Sequence, residues 1–318
     1  MSFADDYMKS TYDRMDVKLD QSTMSIESTK TGKKVYYLYN TNPLSAREIC
    51  NNKAITSQTL KAHDIPVADF ILIRKSDAVS SRTLLDLEMT RKPLKFPLVI
   101  KPTDGTHGTD VIVGIQDIQE LRKAVEKLLK KTDAIIIEKQ LTGHDHRVLV
   151  VNDAVVDIVR RDYISIRGDG KNSIKAIINA RNKRQKAGGN HPTHNIDWAL
   201  IKRESGGMDG NGILPANKEI MISNVRNYHN GANIVRVDIA SVHPDNLKML
   251  VKVNKAIGLN LAGVDFMTPD ISRSYRENGG TIIEVNSNPG LDIHVNPKDN
   301  RSQQMGELVI GRLFSTDN

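Results

Sequence analysis

The segment Thr281-Ile-Ile-Glu-Val-Asn286 holds the most suggestive chemistry in the chain. As a strand it would turn alternate residues to one face, placing Glu284 and Asn286 on the same side about 7 Å apart and Ile283 and Val285 on the other. Asp265 sits in the same way among the apolar residues of the predicted strand Ala262–Thr268. Two carboxylates and an amide oxygen on one cleft wall suit a hard cation such as Mg²⁺, which takes oxygen ligands and keeps waters for phosphate. The plain alternative is a solvent-facing Glu284, with Asn286–Gly290 as an ordinary turn.

A second group surrounds Lys101, which ends an apolar run and precedes the turn Asp104-Gly-Thr-His-Gly108. A glycine turn offers backbone N–H groups to phosphate oxygens, and a lysine adds a point charge. A hairpin turn with a surface lysine, and His107 as a turn residue, is the bland counterpart. Glu138-Lys139-Gln140-Leu141 would put backbone groups at a cleft edge. Arg147, in Asp145-His-Arg147, and the pair Arg160-Arg161 bring guanidinium groups suited to carboxylate recognition, with simple surface charge as the other reading. No GxxxxGK[ST] loop, no GxGxxG after a strand and no HExxH helix is present, so P-loop, Rossmann and zincin chemistry start without support.

These residues need elements to hold them. Periodicity predicts a strand over Val35–Tyr39, a helix over Lys53–His63 and an extended Ile65–Ile73. A short helix is expected over Ser81–Met89. Residues 97–142 form the clearest unit: a strand at Pro97–Lys101, the glycine turn, a strand at Val111–Ile115, a helix and a strand at Ala134–Glu138. The helix has a capping-box pattern at Asp117 and Glu120, with Ile118, Leu121, Val125, Leu128 and Leu129 at helical spacing. A hairpin is expected around Asn152-Asp153, then a helix over Ser173–Arg184 capped by Ser173. Residues Lys186–Gly212 read as a long polar loop, in which the single Trp198 carries no signal. His243–Gly258 reads as a helix with Leu247, Leu250, Val251 and Ile257 inward and Gly258 as its stop. Strands at Ala262–Thr268 and Thr281–Asn286 follow, joined by polar Pro269–Gly280. Residues 1–34 are polar and read as a lead-in arm.

The whole chain has 318 residues, about two domains or one lobed domain at roughly 150 residues each. Apolar residues make up 39% and charged residues 26%, as in an ordinary globular protein. Aromatic residues at 4% argue against a base-stacking sheet. The net charge of +7 fits a nucleotide or an acidic substrate as well as nucleic acid. The lone Cys50 excludes an intramolecular disulfide framework and a four-cysteine zinc site. No apolar run reaches the roughly 18–20 residues of a membrane span, and charge throughout Met1–Asp20 leaves no secretory core. A cytoplasmic protein is expected, without membrane attachment.

Taken in order, the pieces resemble the ATP-grasp superfamily, and within it the ATP-grasp region of cyanophycin synthetase. The resemblance runs from about Asn51 to Phe314. It is carried by Asn52-Lys53, Ile65-Pro-Val67, Pro97-Leu-Val-Ile-Lys-Pro102, Asp104-Gly-Thr-His-Gly108 and Ile137-Glu-Lys-Gln-Leu-Thr-Gly143. Further along it includes Asp145-His-Arg-Val-Leu-Val150, Arg160-Arg161, Gly168-Asp-Gly170, Val242-His-Pro244, Ala262-Gly-Val-Asp265 and Ile283-Glu-Val-Asn-Ser-Asn-Pro-Gly290. The ATP-grasp modules of bifunctional glutathione synthetases share much of this pattern, and D-alanine–D-alanine ligase shares its nucleotide and metal parts.

The resemblance implies an α+β (mixed α/β) ATP-grasp fold, two lobes gripping the nucleotide. Residues 1–48 would be a short N-terminal arm and reduced N-terminal region, and 49–318 the ATP-grasp domain. Its lid lobe would span about 97–142 and its large lobe about 143–318. It implies ATP with Mg²⁺, or Mn²⁺ in its place. Lys53 and Lys101 would contact phosphates under a loop of Gly105, Thr106, His107 and Gly108. Glu138, Lys139, Gln140 and Leu141 would read adenine, with Asp145 near the ribose. Asp265, Glu284 and Asn286 would hold the metal, while Arg147, Arg160 and Asn288 would face the acceptor or the acyl-phosphate. The implied reaction is ADP-forming ligation of a carboxylate to an amine, joining amino acids or extending a short peptide. A glutathione-synthetase-like ligase and a non-catalytic nucleotide-binding protein are the alternatives. The expected partners are small amino-acid or peptide substrates, with a homo-oligomer compatible and nucleic acid not expected. Beside cyanophycin synthetase, the chain is expected to lack the Mur-ligase-like ATPase domain that follows this region there. Asp162-Tyr163 and Asn227-Tyr-His-Asn-Gly-Ala232 depart from the family pattern where substrate is expected.

Overall fold

The computed structural model describes residues 15–20, 25–32, 34–36, 42–77, 80–105, 109–187, 191–223, 226, 228–294, 307, 309 and 311. The chain forms two compact units, Met1–Val159 with Arg236–Asn318, and Arg160–Val235.

In the first unit, part of the polar lead-in pairs as a small antiparallel sheet of β1 (Val17–Asp20), β2 (Ser25–Ser28) and β3 (Lys34–Tyr36). The strand expected over Val35–Tyr39 thus ends at Tyr36 among the described residues, and 37–39 lie outside them. Two helices follow, α1 (Leu44–Asn51), absent from the sequence reading, and α2 (Lys53–Ala62). Asn52 separates them in an extended conformation, and its side chain accepts from the N–H groups of Ala54 and Ile55 at 3.0 and 3.2 Å. That cap places Lys53 at the first position of α2.

A four-stranded antiparallel sheet has the order β4-β7-β5-β6, from β4 (Phe70–Arg74), β5 (Leu98–Pro102), β6 (Ile112–Ile115) and β7 (Ala134–Lys139). Helices α3 (Ser81–Arg91) and α4 (Ile118–Leu129) share one core with it, where Ile71, Leu98, Ile100, Leu121, Val125 and Ile137 are buried. Asp117 caps α4 as its sequence indicates, accepting from Gln119 and Glu120 N–H, while Glu120 reaches back to Gln116 N–H at 2.8 Å.

The strands β8 (His144–Val151) and β9 (Ala154–Asp162) form the expected hairpin, with Asn152 at positive φ in its turn. In the second unit β10 (Ile164–Arg167) pairs antiparallel with β11 (Glu219–Ser223). Helices α5 (Ile174–Ala187) and α6 (Trp198–Ser205) contribute to the same core as these strands. The predicted loop over Lys186–Gly212 is corrected here, because it contains α6. Asp197 caps this helix by accepting from Leu200 N–H at 2.9 Å, and Leu200 and Ile201 are buried. Surrounding Gly, Asn and His residues mask this short apolar stripe.

The largest sheet has the order β12-β9-β8-β13-β14, with β12 (Asn233–Arg236), β13 (Leu261–Thr268) and β14 (Thr281–Asn286). Helix α7 (Pro244–Ile257) belongs to the first unit's core and stops at Gly258, whose φ of 84° favours a residue without Cβ. Its buried stripe is Asn246, Met249, Leu250, Val253, Asn254 and Ile257; the predicted inward residues Leu247 and Val251 are only half-buried. Burying Asn246 is tolerable because its amide donates to Ile271 O and Arg273 O and accepts from Tyr275 N–H, where α8 (Tyr275–Asn278) begins. Among the described residues, no helix is long and apolar enough to cross a membrane.

The pairing of β13 with β14 corrects a second expectation. Asp265 opposes Glu284, but Phe266 opposes Ile282, so Ile283 is an extra residue on β14. A bulge shifts the alternation by one residue. The core therefore receives Ile282 and Val285 rather than Ile283 and Val285.

Candidate functional site

The register of three strands lines up a row of charge. On β13, Asp265 has Arg147 of β8 on one side and Glu284 of β14 on the other. The Arg147 Nε lies 2.7 Å from Asp265 Oδ1, a charge pair whose angle falls outside hydrogen-bond geometry. Two residues back, Gly263 opposes Asn286, whose amide donates to Gly263 O at 3.4 Å. A Cβ on Gly263 would lie 2.5 Å from a guanidinium nitrogen of Arg147 and 2.8 Å from Pro289 Cβ. The missing side chain is what lets Arg147 cross the sheet face to Asp265.

Lys53 joins this row to the other sheet. Its Nζ is 3.6 Å from Glu284 Oε1 and donates to Gly105 O at 2.8 Å, while its backbone N–H donates to Thr103 O at 2.8 Å. The start of α2 is thereby tied to the turn after β5 and to β14. Cys50, Lys53, Thr56, Ile283 and Glu284 line a small cavity here. Burial, followed by the nearby Glu284 charge, pushes the Cys50 thiol up to about 12.

Lys101 and Glu138 occupy neighbouring strands β5 and β7 on the face opposite the apolar Ile100 and Ile137. Their Nζ–Oε2 distance is 2.7 Å and both residues are buried. Beyond Glu138, Lys139 is exposed and Leu141 half-buried. Gln140 donates its N–H to Pro97 O and accepts from Gly114 N–H at 2.7 Å, pinning the exit of β7 against β6. Asp145 is buried near the start of β8, opposite Met267.

Lys53, Arg147, Asp265, Glu284 and Asn286 thus form one contiguous set. Lys101 and Glu138 form a separate pair on the four-stranded sheet. Arg160 belongs to the second unit, where it holds Asp162 through two contacts of 2.7 and 3.0 Å. Asn288 is exposed in the segment after β14. Of the turn 104–108, Thr106, His107 and Gly108 lie outside the described residues.

Four contributors escaped the sequence reading. Gly263 has a local signal, a glycine inside an otherwise apolar strand. Asn42, Asp157 and His294 have none, because each acts through partners at least 58 residues away. Asn42 is buried and donates to both Leu261 O and Ser287 O at 2.7 Å, while its carbonyl oxygen accepts from Asn260 and Leu261 N–H. Among the described residues, no group of three or more His, Cys, Asp and Glu side chains converges, so the donor set at β13 and β14 is two carboxylates and an amide.

Residues 59–173 match the family model described as D-ala D-ala ligase C-terminus. A cyanophycin synthetase from Synechocystis sp. is 33% identical over 229 residues, covering 69% of this chain and 26% of its own length. The chain therefore spans about a quarter of that relative. A bifunctional glutathione synthetase from Pasteurella multocida shares the fold with a TM-score of 0.67 at 18% identity, over 99% of this chain and 44% of that one. A D-alanine–D-alanine ligase from Bacillus anthracis, solved in complex with ATP, gives a TM-score of 0.51 at 16% identity, over 86% of this chain and 69% of that one. The architecture is the α+β fold of these ligases, and the chain belongs to the ATP-grasp superfamily.

Proposed function

We propose that this chain is an ADP-forming carboxylate–amine ligase that joins amino acids or extends a short peptide. The observation that carries the reading is the register placing Asp265 opposite Glu284, with Asn286 on the same face and Lys53 against Glu284. The donor set fits Mg²⁺: it is all oxygen, it comes from two adjacent strands, and its two carboxylates face the cations of Arg147 and Lys53. When bound, Mg²⁺ supplies charge neutralisation at the phosphates.

In the first step a substrate carboxylate oxygen attacks the γ-phosphorus of ATP, giving an acyl-phosphate and ADP. In the second an amine attacks the acyl carbon, phosphate leaves, and the amine gives up a proton. Phosphoryl transfer needs positioning and charge neutralisation more than covalent help from the protein. We assign Lys53 and Lys101 to the phosphates beneath the turn that begins at Asp104. Glu138 and the backbone of Lys139–Leu141 take the adenine, with Asp145 at the ribose. Arg147, with Asn288, takes the acyl or acceptor side. ATP supply puts the reaction in the cytoplasm.

The test is ADP release from MgATP against pools of amino acids and dipeptides, with mass spectrometry of the products. Release that requires a particular pair, with a product mass equal to their sum less water, is the expected result. Stimulation confined to γ-glutamyl peptides would redirect the reading to the glutathione-synthetase-like alternative. Tight MgATP binding with no stimulation by any pool would leave a nucleotide-binding protein.

A further inference from the structure

Beside the Asp265 row lies a charged cluster with no assigned part in the ligation. Asp157 of β9 is 1% exposed and His294 is 0% exposed. The Asp157 carboxylate accepts from Arg236 Nη1 at 2.6 Å and meets His294 Nδ1 at 2.8 Å, while Arg236 Nη2 donates to the His294 backbone oxygen at 2.7 Å. Burial alone would raise the Asp157 carboxyl, but the His294 and Arg236 contacts outweigh it and hold the group below its usual range. Burial also holds His294 below its ordinary value, against the pull of Asp157 and with the charges of Arg147 and Arg236 adding to the effect. The ring is therefore neutral, with its Nδ1 proton on the Asp157 side. Its Nε2 is a buried acceptor with no hydrogen-bond partner among the described residues.

Such a cluster is an expensive way to pack a core, since apolar side chains of similar volume often do as well. What it holds is the segment 287–294, which leaves β14 directly after Asn286. The far end is fixed by the clasp on His294, and the near end by Asn42, which donates to Ser287 O and Leu261 O. Between these anchors Pro289 is buried over the bare face of Gly263, where Arg147 passes, while Asn288 and Gly290 remain exposed. The segment is a strap across the acyl side of the site, tied at both ends and open in its middle.

We propose that His294, held by Asp157 and Arg236, is a positioning residue that fixes the 287–294 strap, so that Asn288 is presented to the amine acceptor and Arg147 is confined beside Asp265. The kinetic part of this inference rests on the ligase reading; the structural part does not.

The experiment uses the full chain with His294→Leu, which removes the donor to Asp157, and His294→Asn, which keeps a side-chain N–H near the position of Nδ1. Expected for His294→Leu is a rise of about tenfold in the KM for the amine, with the KM for MgATP changed by less than about twofold, and recovery of most of the loss in His294→Asn. Hydrogen exchange, which needs no turnover, should show faster exchange confined to 287–294 in His294→Leu. An equal rise in both KM values with faster exchange throughout the five-stranded sheet would overturn the proposal in favour of plain structural packing. Unchanged kinetics with unchanged exchange would overturn it too. If the wild-type chain releases no ADP with any acceptor, the ligase reading fails, and the exchange pattern still decides whether the clasp fixes the strap.

Discussion

Lys101 and Glu138 are 2.7 Å apart, with 8% and 10% of their side chains exposed, whereas Lys53 and Glu284 approach only to 3.6 Å, with 13% and 31% exposed. Both pairs stand where ATP chemistry is proposed, but they are built for different tasks. The first lies between adjacent strands of a rigid sheet and has been taken out of water. Its partners hold each other in place, so in the proposed role Lys101 would meet a phosphate with little reorganisation. The second is looser and wetter. In the proposed role, Glu284 would give up Lys53 for a cation, while Lys53 keeps its bond to Gly105 O. The two pairs thus differ in separation and burial, and the proposed roles of fixed cation and exchangeable carboxylate follow that difference.

The sharpest way to break this contrast is Lys101→Ala. It strands Glu138 in a desolvated site and should lower the unfolding free energy by about 3–5 kcal/mol, read by urea denaturation. The double change Lys101→Met with Glu138→Leu should recover most of that stability but none of the ATP turnover. A loss below about 1 kcal/mol for Lys101→Ala would put this pair in the surface class and remove the distinction.

Glu284→Gln should behave in the opposite way. Stability should move by less than about 1 kcal/mol, because the contact is long at 3.6 Å and Glu284 keeps water on its partly exposed side. Amino-acid-dependent ADP release should fall about 10²–10³-fold, the usual scale for losing one charge-stabilising group. If this variant unfolded as easily as Lys101→Ala, the division of labour between the two pairs would be wrong.

Gly263→Ala tests the route by which Arg147 reaches Asp265. The new Cβ would meet the guanidinium at 2.5 Å and Pro289 at 2.8 Å. The guanidinium can swing aside, but the proline ring has less room to move. A destabilisation of about 1–3 kcal/mol in thermal unfolding is expected, as in other overpacked positions.

The smallest effect concerns Cys50. Burial, and then the Glu284 charge, hold its thiol up at about 12. The folded chain therefore keeps a proton that the unfolded chain loses at lower pH. The resulting stabilisation is complete below the ordinary thiol value and is lost as pH rises toward about 12. At about pH 8.5 iodoacetamide should alkylate the native chain slowly and the urea-unfolded chain fast. Glu284→Gln should speed the native reaction slightly by removing a like charge.

How legible each part was depended on the range of the interactions involved. Strands β13 and β14 and helices α2, α4 and α7 are visible as periodic apolar runs with caps, because each element's pattern lies within its own residues. The pairing of Lys101 with Glu138 was not visible. Either residue alone reads as a surface charge, and only the antiparallel register of β5 and β7 sets them diagonally across one pleat. Helix α6 was missed because its stripe is short and its flanks are polar. The exchange of Ile283 for Ile282 in the core was missed because a bulge belongs to two strands at once, and periodicity within one of them carries no trace of it.

The amino-acid sequence by itself determined the superfamily, the strongly periodic strands and helices, and the types of side chain proposed for a nucleotide and a hard cation. Those properties reside in local patterns and in motifs read one after another along the chain. Tertiary structure alone decided which polar partners meet: Arg147 with Asp265, Lys53 with Glu284, and Asp157 with both Arg236 and the neutral His294. It also made Gly263 a passage and Asn42 an anchor. The reason is that a charge pair depends on distance in space and on exclusion of water, and sheet register and burial set both between residues as much as 231 positions apart, from Lys53 to Glu284.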